Sequence, residues 1–125
     1  MMRRILLVDD NVDFVASLAL ILQASGHEVR VTHDGLEALE VATTFQPDFI
    51  FLDIGLPGLN GYDVARNLRQ LPSTQSSILV AITGWGQAGD KRRAREAGFD
   101  HHVVKPVEPT EIHAILTRFH VARRV

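Results

Sequence analysis

Short apolar runs alternate with amphipathic stretches along the whole chain. The runs are Ile5–Val8, Val29–Val31, Phe49–Leu52, Ile78–Ile82 and Val103–Val104. Most are continuous rather than alternating, the pattern of strands covered on both faces in a parallel sheet. Helix punctuation falls between them. Asn11 caps a stretch whose apolar stripe reads Phe14, Leu18, Ile21 and Leu22, and Gly26 ends it. Asp34 precedes a second helix, from about Leu36 to Phe45, that stops before Pro47. A third, Tyr62 to Leu71, follows the turn-forming pair Pro57-Gly58 and halts at Pro72. Gln87 to Ala97, rich in charge from Asp90 to Glu96, reads as a solvated helix closed by Gly98. Pro109 suits the first turn of the last helix, whose stripe is Ile112, Ile115, Leu116 and Phe119. These are roughly five βα units, and they predict a doubly wound α/β sheet of parallel strands with right-handed crossovers.

Composition narrows the function classes. A chain of 125 residues reads as one compact domain, 1–125, large enough to bury a real core. Thirteen basic against fifteen acidic residues argue against a broad basic surface for nucleic acid. The absence of cysteine excludes a disulfide framework, a thiolate zinc site and a cysteine nucleophile. The longest strongly apolar stretch, Phe14 to Leu22, falls short of the roughly 18 residues a membrane helix needs. Arg3-Arg4, four apolar residues and then Asp9-Asp10 do not read as a secretory signal. A soluble, cytoplasmic chain without membrane contact is the expectation.

Ligands of such sheets sit at the carboxyl ends of the strands, where strand order reverses. Asp9 and Asp10 follow the first run, Asp53 the third, Thr83 the fourth, and Lys105 and Pro106 the fifth. Each has an ordinary explanation by itself. The paired acids favour the positive end of the next helix. Asp53 serves as a turn residue, Thr83 ends a strand, and Lys105 snorkels. Together these explanations fail, because three carboxylates crowded at one edge repel one another. Such a cluster persists at neutral pH when a cation occupies it and Lys105 offsets part of the charge. Oxygen-only ligands point to a hard ion, Mg²⁺ ahead of Ca²⁺ or Zn²⁺.

Asp9-Asp10, Asp53 in Phe-Leu-Asp-Ile-Gly-Leu-Pro-Gly-Leu-Asn-Gly, Thr83-Gly84 and Lys105-Pro106 together resemble a response-regulator receiver domain. The resemblance covers essentially the whole chain. It implies a flavodoxin-like sheet of strand order 2-1-3-4-5 and a phosphorylation-activated signalling switch. Asp53 would be the nucleophile that takes a phosphoryl group from a phosphohistidine on a histidine kinase or histidine phosphotransfer domain. Asp10, Asp53 and the Gly55 carbonyl would hold Mg²⁺, with Asp9 completing the acidic pocket through a metal-bound water. Lys105 would neutralise charge on the transferring group, and Thr83 would hydrogen-bond a phosphoryl oxygen in the product. The Lys105-Pro106 peptide would be cis. A monomer or a phosphorylation-dependent dimer is implied, with no direct nucleic-acid contact.

Several positions depart from the family pattern or extend it. His102 replaces the Tyr or Phe usual three residues before the lysine, which puts an aromatic relay through that position in doubt. His101 is read as structural, and the pair as no metal site, because adjacent strand residues face opposite sides. No chemistry is assigned to His27, His33, His113 or His120. Gly55 and Trp85 flank the site, and Trp85 is expected to follow Thr83 inward and shield a slowly hydrolysing phospho-aspartate. Leu20 is expected on the wet face of the first helix, where a phosphohistidine-bearing helix would dock.

Three competing readings are distinguishable. A haloacid-dehalogenase-type phosphatase places an acid/base Asp two residues after its nucleophile, where this chain has Gly55, and its nucleophile follows the first strand. A flavodoxin-like electron carrier needs a loop that welcomes the flavin phosphate, which Asp9 and Asp10 would repel. A receiver-like module regulated without phosphorylation carries the same residues, and a phosphorylation assay separates it. No effector motif follows Phe119, so output is expected through another chain or another part of a longer one. Gly84-Trp85-Gly86 and the stretch from Ala97 to Val107 resemble receivers fused to hybrid sensor histidine kinases. Arg123 and Arg124 suit a helix C-terminus or the start of a linker.

Overall fold

A computed structural model describes residues 2–56, 59–84 and 91–119. Its elements alternate strictly: β1 (Arg4–Val8), α1 (Val12–Ala24), β2 (Glu28–Thr32), α2 (Gly35–Phe45), β3 (Phe49–Asp53), α3 (Gly61–Gln70), β4 (Ile78–Thr83), α4 (Lys91–Ala97), β5 (His101–Val104) and α5 (Pro109–Arg118). The five strands form one parallel sheet in the order β2-β1-β3-β4-β5. That is the expected doubly wound order, and it reverses direction between β1 and β3.

Alternation along the strands sorts the core into two layers. Leu6, Val8, Ile50, Leu52, Leu79 and Ala81 face α2, α3 and α4, where Ala38, Ala42, Val64, Leu68 and Ala94 meet them. Ile5, Leu7, Phe49, Phe51, Val80 and Ile82 face α1 and α5, packing on Val15, Leu18, Leu22, Ile112 and Ile115. With both faces covered, β3 is buried at every residue, which explains its unbroken apolar run.

The Asn11 and Asp34 caps follow the sequence reading, and Asn60 adds a third that the reading did not name. Asn11, Asp34 and Asn60 each accept a backbone N–H three residues on, with their side chains at the starts of α1, α2 and α3. Gly98 closes α4 at φ +110°, a conformation that favours glycine. Gly61 opens α3 hard against the loop after β3: an added Cβ would stand 2.4 Å from Ile54 Cα. This close approach packs α3 down behind the residue that follows Asp53.

Two expectations need correction. The buried stripe of α1 is Val15, Leu18, Ala19 and Leu22, while Ile21 is 40% exposed. The helix is apolar nearly all round, so periodicity alone left its phase open by one position. The third helix begins at Gly61 and ends at Gln70, one residue earlier at each end than the spacing suggested. The Pro57-Gly58 turn, Trp85, the expected Gln87 start of α4, His120 and the Arg123-Arg124 pair lie outside the described residues.

Candidate functional site

Parallel strands deliver their carboxyl ends to one edge, and that edge gathers the chemistry. Asp9 leaves β1 with its N–H still bonded to Thr32 O of β2, while Asp53 is the last residue of β3. One carboxylate oxygen from each of Asp9, Asp10 and Asp53 lies within 4.8 Å of the others. Asp9 and Asp53 are buried, at 1% and 6% exposure, and Asp10 is exposed.

The two buried carboxylates are held alike. Asp9 Oδ1 accepts the N–H of Asn11 at 2.9 Å, and Asp53 Oδ1 accepts the N–H of Gly55 at 2.8 Å. Each bond spans two residues, a local turn that Asp side chains form readily. The remaining oxygens face one cation: Lys105 Nζ stands 3.2 Å from Asp9 Oδ2 and 3.3 Å from Asp53 Oδ2. The Asp53 contact is a hydrogen bond, whereas Asp9 Oδ2 is charge-compensated but not hydrogen-bonded. Lys105 reaches in from the end of β5, its N–H bonded to Thr83 O at 2.9 Å and its ammonium 5.6 Å from the Phe14 ring centroid. The Lys105–Pro106 peptide is cis.

The charge balance is incomplete, since one ammonium offsets one of three carboxylates. Burial chiefly, with the charge of Asp53, raises the Asp9 carboxyl above its usual range, against the Asn11 N–H and Lys105. Partial burial pulls Lys105 down, but Asp53 and Asp9 outweigh it and its pKa is raised. A buried carboxylate oxygen lacking a hydrogen bond, inside an all-oxygen cluster, fits a hard divalent cation.

Thr83 ends β4 beside this pocket and is buried. Its hydroxyl donates to Val103 O at 3.3 Å, so it is turned toward β5 rather than bonded to Asp53. Gly55 is exposed and reaches the site through its N–H. A wide concavity of about 490 Å³, lined by Asn11, Phe14, Gly84, Lys105, Pro106 and Val107, opens beside the lysine. Leu20, 67% exposed, and Val12, 58% exposed, lie on the outer side of α1 as an unpaired apolar surface.

The histidines refine the sequence reading. His33 was assigned no chemistry, yet its Nδ1–H donates to Asp9 O at 3.1 Å. No local signal marks it; only the pairing of β2 beside β1 brings it there. His101 pairs with Val80 and His102 with Ala81, so the two alternate between the layers as expected, although at this sheet edge their ring centroids come within 5.9 Å and both line one depression with Lys91 and Phe99. His101 packs on Phe119, 5.8 Å between centroids, and burial first, then Arg118, lowers its pKa.

Fold and site together define a doubly wound α/β domain carrying an aspartate–lysine pocket at its switch point. The chain matches the response regulator receiver domain over residues 5–117 and belongs to that family. It is 35% identical over 112 residues to the DNA-binding response regulator MtrA of Mycolicibacterium paratuberculosis, covering 90% of this chain and 48% of MtrA. This chain therefore spans about half the length of that relative. It is 32% identical to the polar-differentiation response regulator DivK of Brucella anthropi, over 86% of this chain and 87% of DivK. A solved receiver domain of the sensor histidine kinase PA1611 from Pseudomonas aeruginosa superposes with a TM-score of 0.84 at 30% identity, covering 94% and 97% of the two chains. That structure has a magnesium ion coordinated in its active-site cleft. The chain is a receiver domain of two-component signalling, the module type that works as a phosphorylation-dependent switch.

Proposed function

We propose that Asp53 accepts a phosphoryl group from the phosphohistidine of a histidine kinase or histidine phosphotransfer domain, and that the product resets the surface around Thr83. The observation that carries this reading is the Asp53 carboxylate: buried at the switch point, one oxygen held by the Gly55 N–H and the other facing Lys105. A carboxylate oxygen of Asp53 attacks phosphorus, the P–N bond breaks, and its electron pair leaves with the donor imidazole, which takes up a proton. The product is an acyl phosphate on Asp53.

The chain's own residues assist this transfer. Lys105 Nζ already lies between the two buried carboxylates, within reach of oxygens on the incoming group. Thr83 Oγ1 holds only a 3.3 Å bond to Val103 O, at the weak end of hydrogen-bond lengths and readily exchanged for a phosphoryl oxygen. That exchange turns a covalent event into movement of the residues after β4. Asp10, Asp53 and the Gly55 carbonyl would hold Mg²⁺, with Asp9 completing the acidic set. The ion, when bound, supplies positive charge against the carboxylates and the phosphoryl oxygens. The exposed apolar residues of α1 and the concavity beside Phe14 suit the helix that presents the phosphohistidine. The family match over residues 5–117 supports reading the chain as one cytoplasmic receiver unit.

Incubation with Mg²⁺ and acetyl phosphate tests this reading by intact-mass measurement. A gain of one base-labile phosphoryl group is expected, and Asp53→Asn abolishes it; labelling that persists in Asp53→Asn overturns the assignment. Asp10→Ala loses Mg²⁺ binding, while Lys105→Ala keeps the metal and slows transfer.

A further inference from the structure

The opposite edge of the sheet carries a cluster of basic side chains, which the receiver chemistry does not use. Arg3, Ser25, His27, His113, Leu116 and Thr117 line an open depression of about 430 Å³ there. Three basic side chains converge from three segments: Arg3 from just before β1, His27 from the turn into β2, and His113 from α5. His27 Nδ1 accepts the N–H of Arg3 at 3.0 Å, so the neutral ring carries its proton on Nε2 and keeps that N–H as a donor. The rim hydroxyls give their own protons to backbone, Ser25 Oγ to Ile21 O and Thr117 Oγ1 to His113 O.

The carboxylates of this edge are engaged elsewhere. Glu28 pairs with Arg4 Nε at 3.5 Å, and Asp48 Oδ2 accepts the Arg4 N–H at 2.9 Å. Among the described residues no carboxylate pairs with Arg3, His27 or His113. Burial first, then His113 and Arg3, lower the His27 pKa, which favours the neutral ring with its Nε2–H as donor. A guanidinium with no carboxylate partner, set beside two imidazoles, leaves positive charge and N–H donors available to an anion.

We propose that this depression is a binding site for a small phosphorylated anion. A guanidinium fork with two imidazoles matches the several acceptor oxygens of a phosphate better than the two of a carboxylate. Leu116 forms an apolar floor, and the depression exceeds what a bare phosphate fills, leaving room for an organic body beside it. The ligand would bridge the entries of β1 and β2 to α5, at the end of β1 opposite Asp9 and on the helix that follows the Lys105 loop.

The test follows the ring C–H signals of His27 and His113 by NMR in Mg²⁺-free protein, where the acidic pocket repels anions. Sodium phosphate and adenosine monophosphate are titrated against sodium chloride at matched ionic strength, with His27→Gln and His113→Gln assigning the signals. Saturable shifts are expected with both phosphates and not with chloride, and Arg3→Gln weakens binding by about tenfold, the loss of one charge-assisted contact. Tighter binding of the nucleotide identifies an organic phosphate as the ligand class, and equal binding identifies free phosphate. Shifts that stay linear, that chloride reproduces, or that survive Arg3→Gln unweakened overturn the proposal. Arg3→Gln keeps phosphorylation by acetyl phosphate, which verifies its fold and separates this site from the Asp53 reading.

Discussion

At the amino edge of the sheet, Asp48 Oδ2 accepts the first N–H of β1, from Arg4, and Asp100 Oδ2 accepts the N–H of Leu79 near the start of β4. At the carboxyl edge, Asp9, Asp10 and Asp53 crowd together with one ammonium paired to Asp9 and Asp53, and a buried oxygen of Asp9 has no hydrogen bond. The same residue type serves opposite ends. Acids that precede strands are consumed in stitching the backbone together. Acids that follow strands are left with capacity for something from outside. Buried polar groups are ordinarily satisfied, and the buried Asp9 oxygen at the carboxyl edge is one that is not.

Arg69 shows how densely the amino side is stitched together. Its guanidinium donates to Gly98 O, Gln75 O and Ser77 O and to Asp100 Oδ2, tying α3 to the connection between α4 and β5 and to the entry of β4. Breaking that clip gives the largest expected effect. Arg69→Ala strands several carbonyls and is expected to cost about 3 kcal/mol in urea unfolding, with Asp53 phosphorylation intact in the folded fraction. A loss under 1 kcal/mol would show the network to be ornamental.

The same substitution at the two edges is expected to change stability in opposite directions. Asp100→Asn removes the charge paired with Arg69 at 2.6 Å and lowers stability by roughly 1–2 kcal/mol. Asp9→Asn keeps an oxygen for the Asn11 N–H and removes a buried charge, so it raises stability in Mg²⁺-free buffer by about 1 kcal/mol. Mg²⁺ should then stabilise the variant less than the wild type. Destabilisation by Asp9→Asn would mean that Lys105 already balances the pocket.

pH sharpens the contrast further. The folded Asp9 carboxyl titrates above its ordinary 3.8, so between those values the folded state holds a proton the unfolded chain has released. Its contribution therefore favours folding increasingly as pH falls from neutral through the raised value, and levels off below 3.8. The melting-temperature gap between wild type and Asp9→Asn in EDTA should narrow on acidification; a gap independent of pH would refute this. Lys105 titrates above 10.5, so its stabilisation is full below 10.5 and is lost as pH climbs through the folded value.

The smallest expected effect is at His33, whose ring anchors the Asp9 carbonyl. His33→Ala should weaken Mg²⁺ binding by less than about tenfold, the lower range for residues that orient a metal ligand. His33→Asn, which restores a short donor, should recover part of it. Equal affinities in all three proteins would make His33 a bystander.

The sequence pattern alone determined the alternation of strands and helices and which residues gather at one edge of the sheet. Continuous apolar runs require burial on both faces, parallel strands send every carboxyl end to one edge, and residues just after each run must meet there. Asp9, Asp10, Asp53, Thr83 and Lys105 were legible for that reason. Tertiary structure decided what depends on lateral neighbours and rotation about a helix axis. The phase of α1 was one such matter, because a helix apolar nearly all round has no preferred face until it packs. The orientation of Thr83 toward Val103, the His33 anchor on Asp9, and the gathering of Arg3, His27 and His113 were others. Those contacts join residues about 20 or more positions apart, and strand order, not local pattern, sets which of them touch.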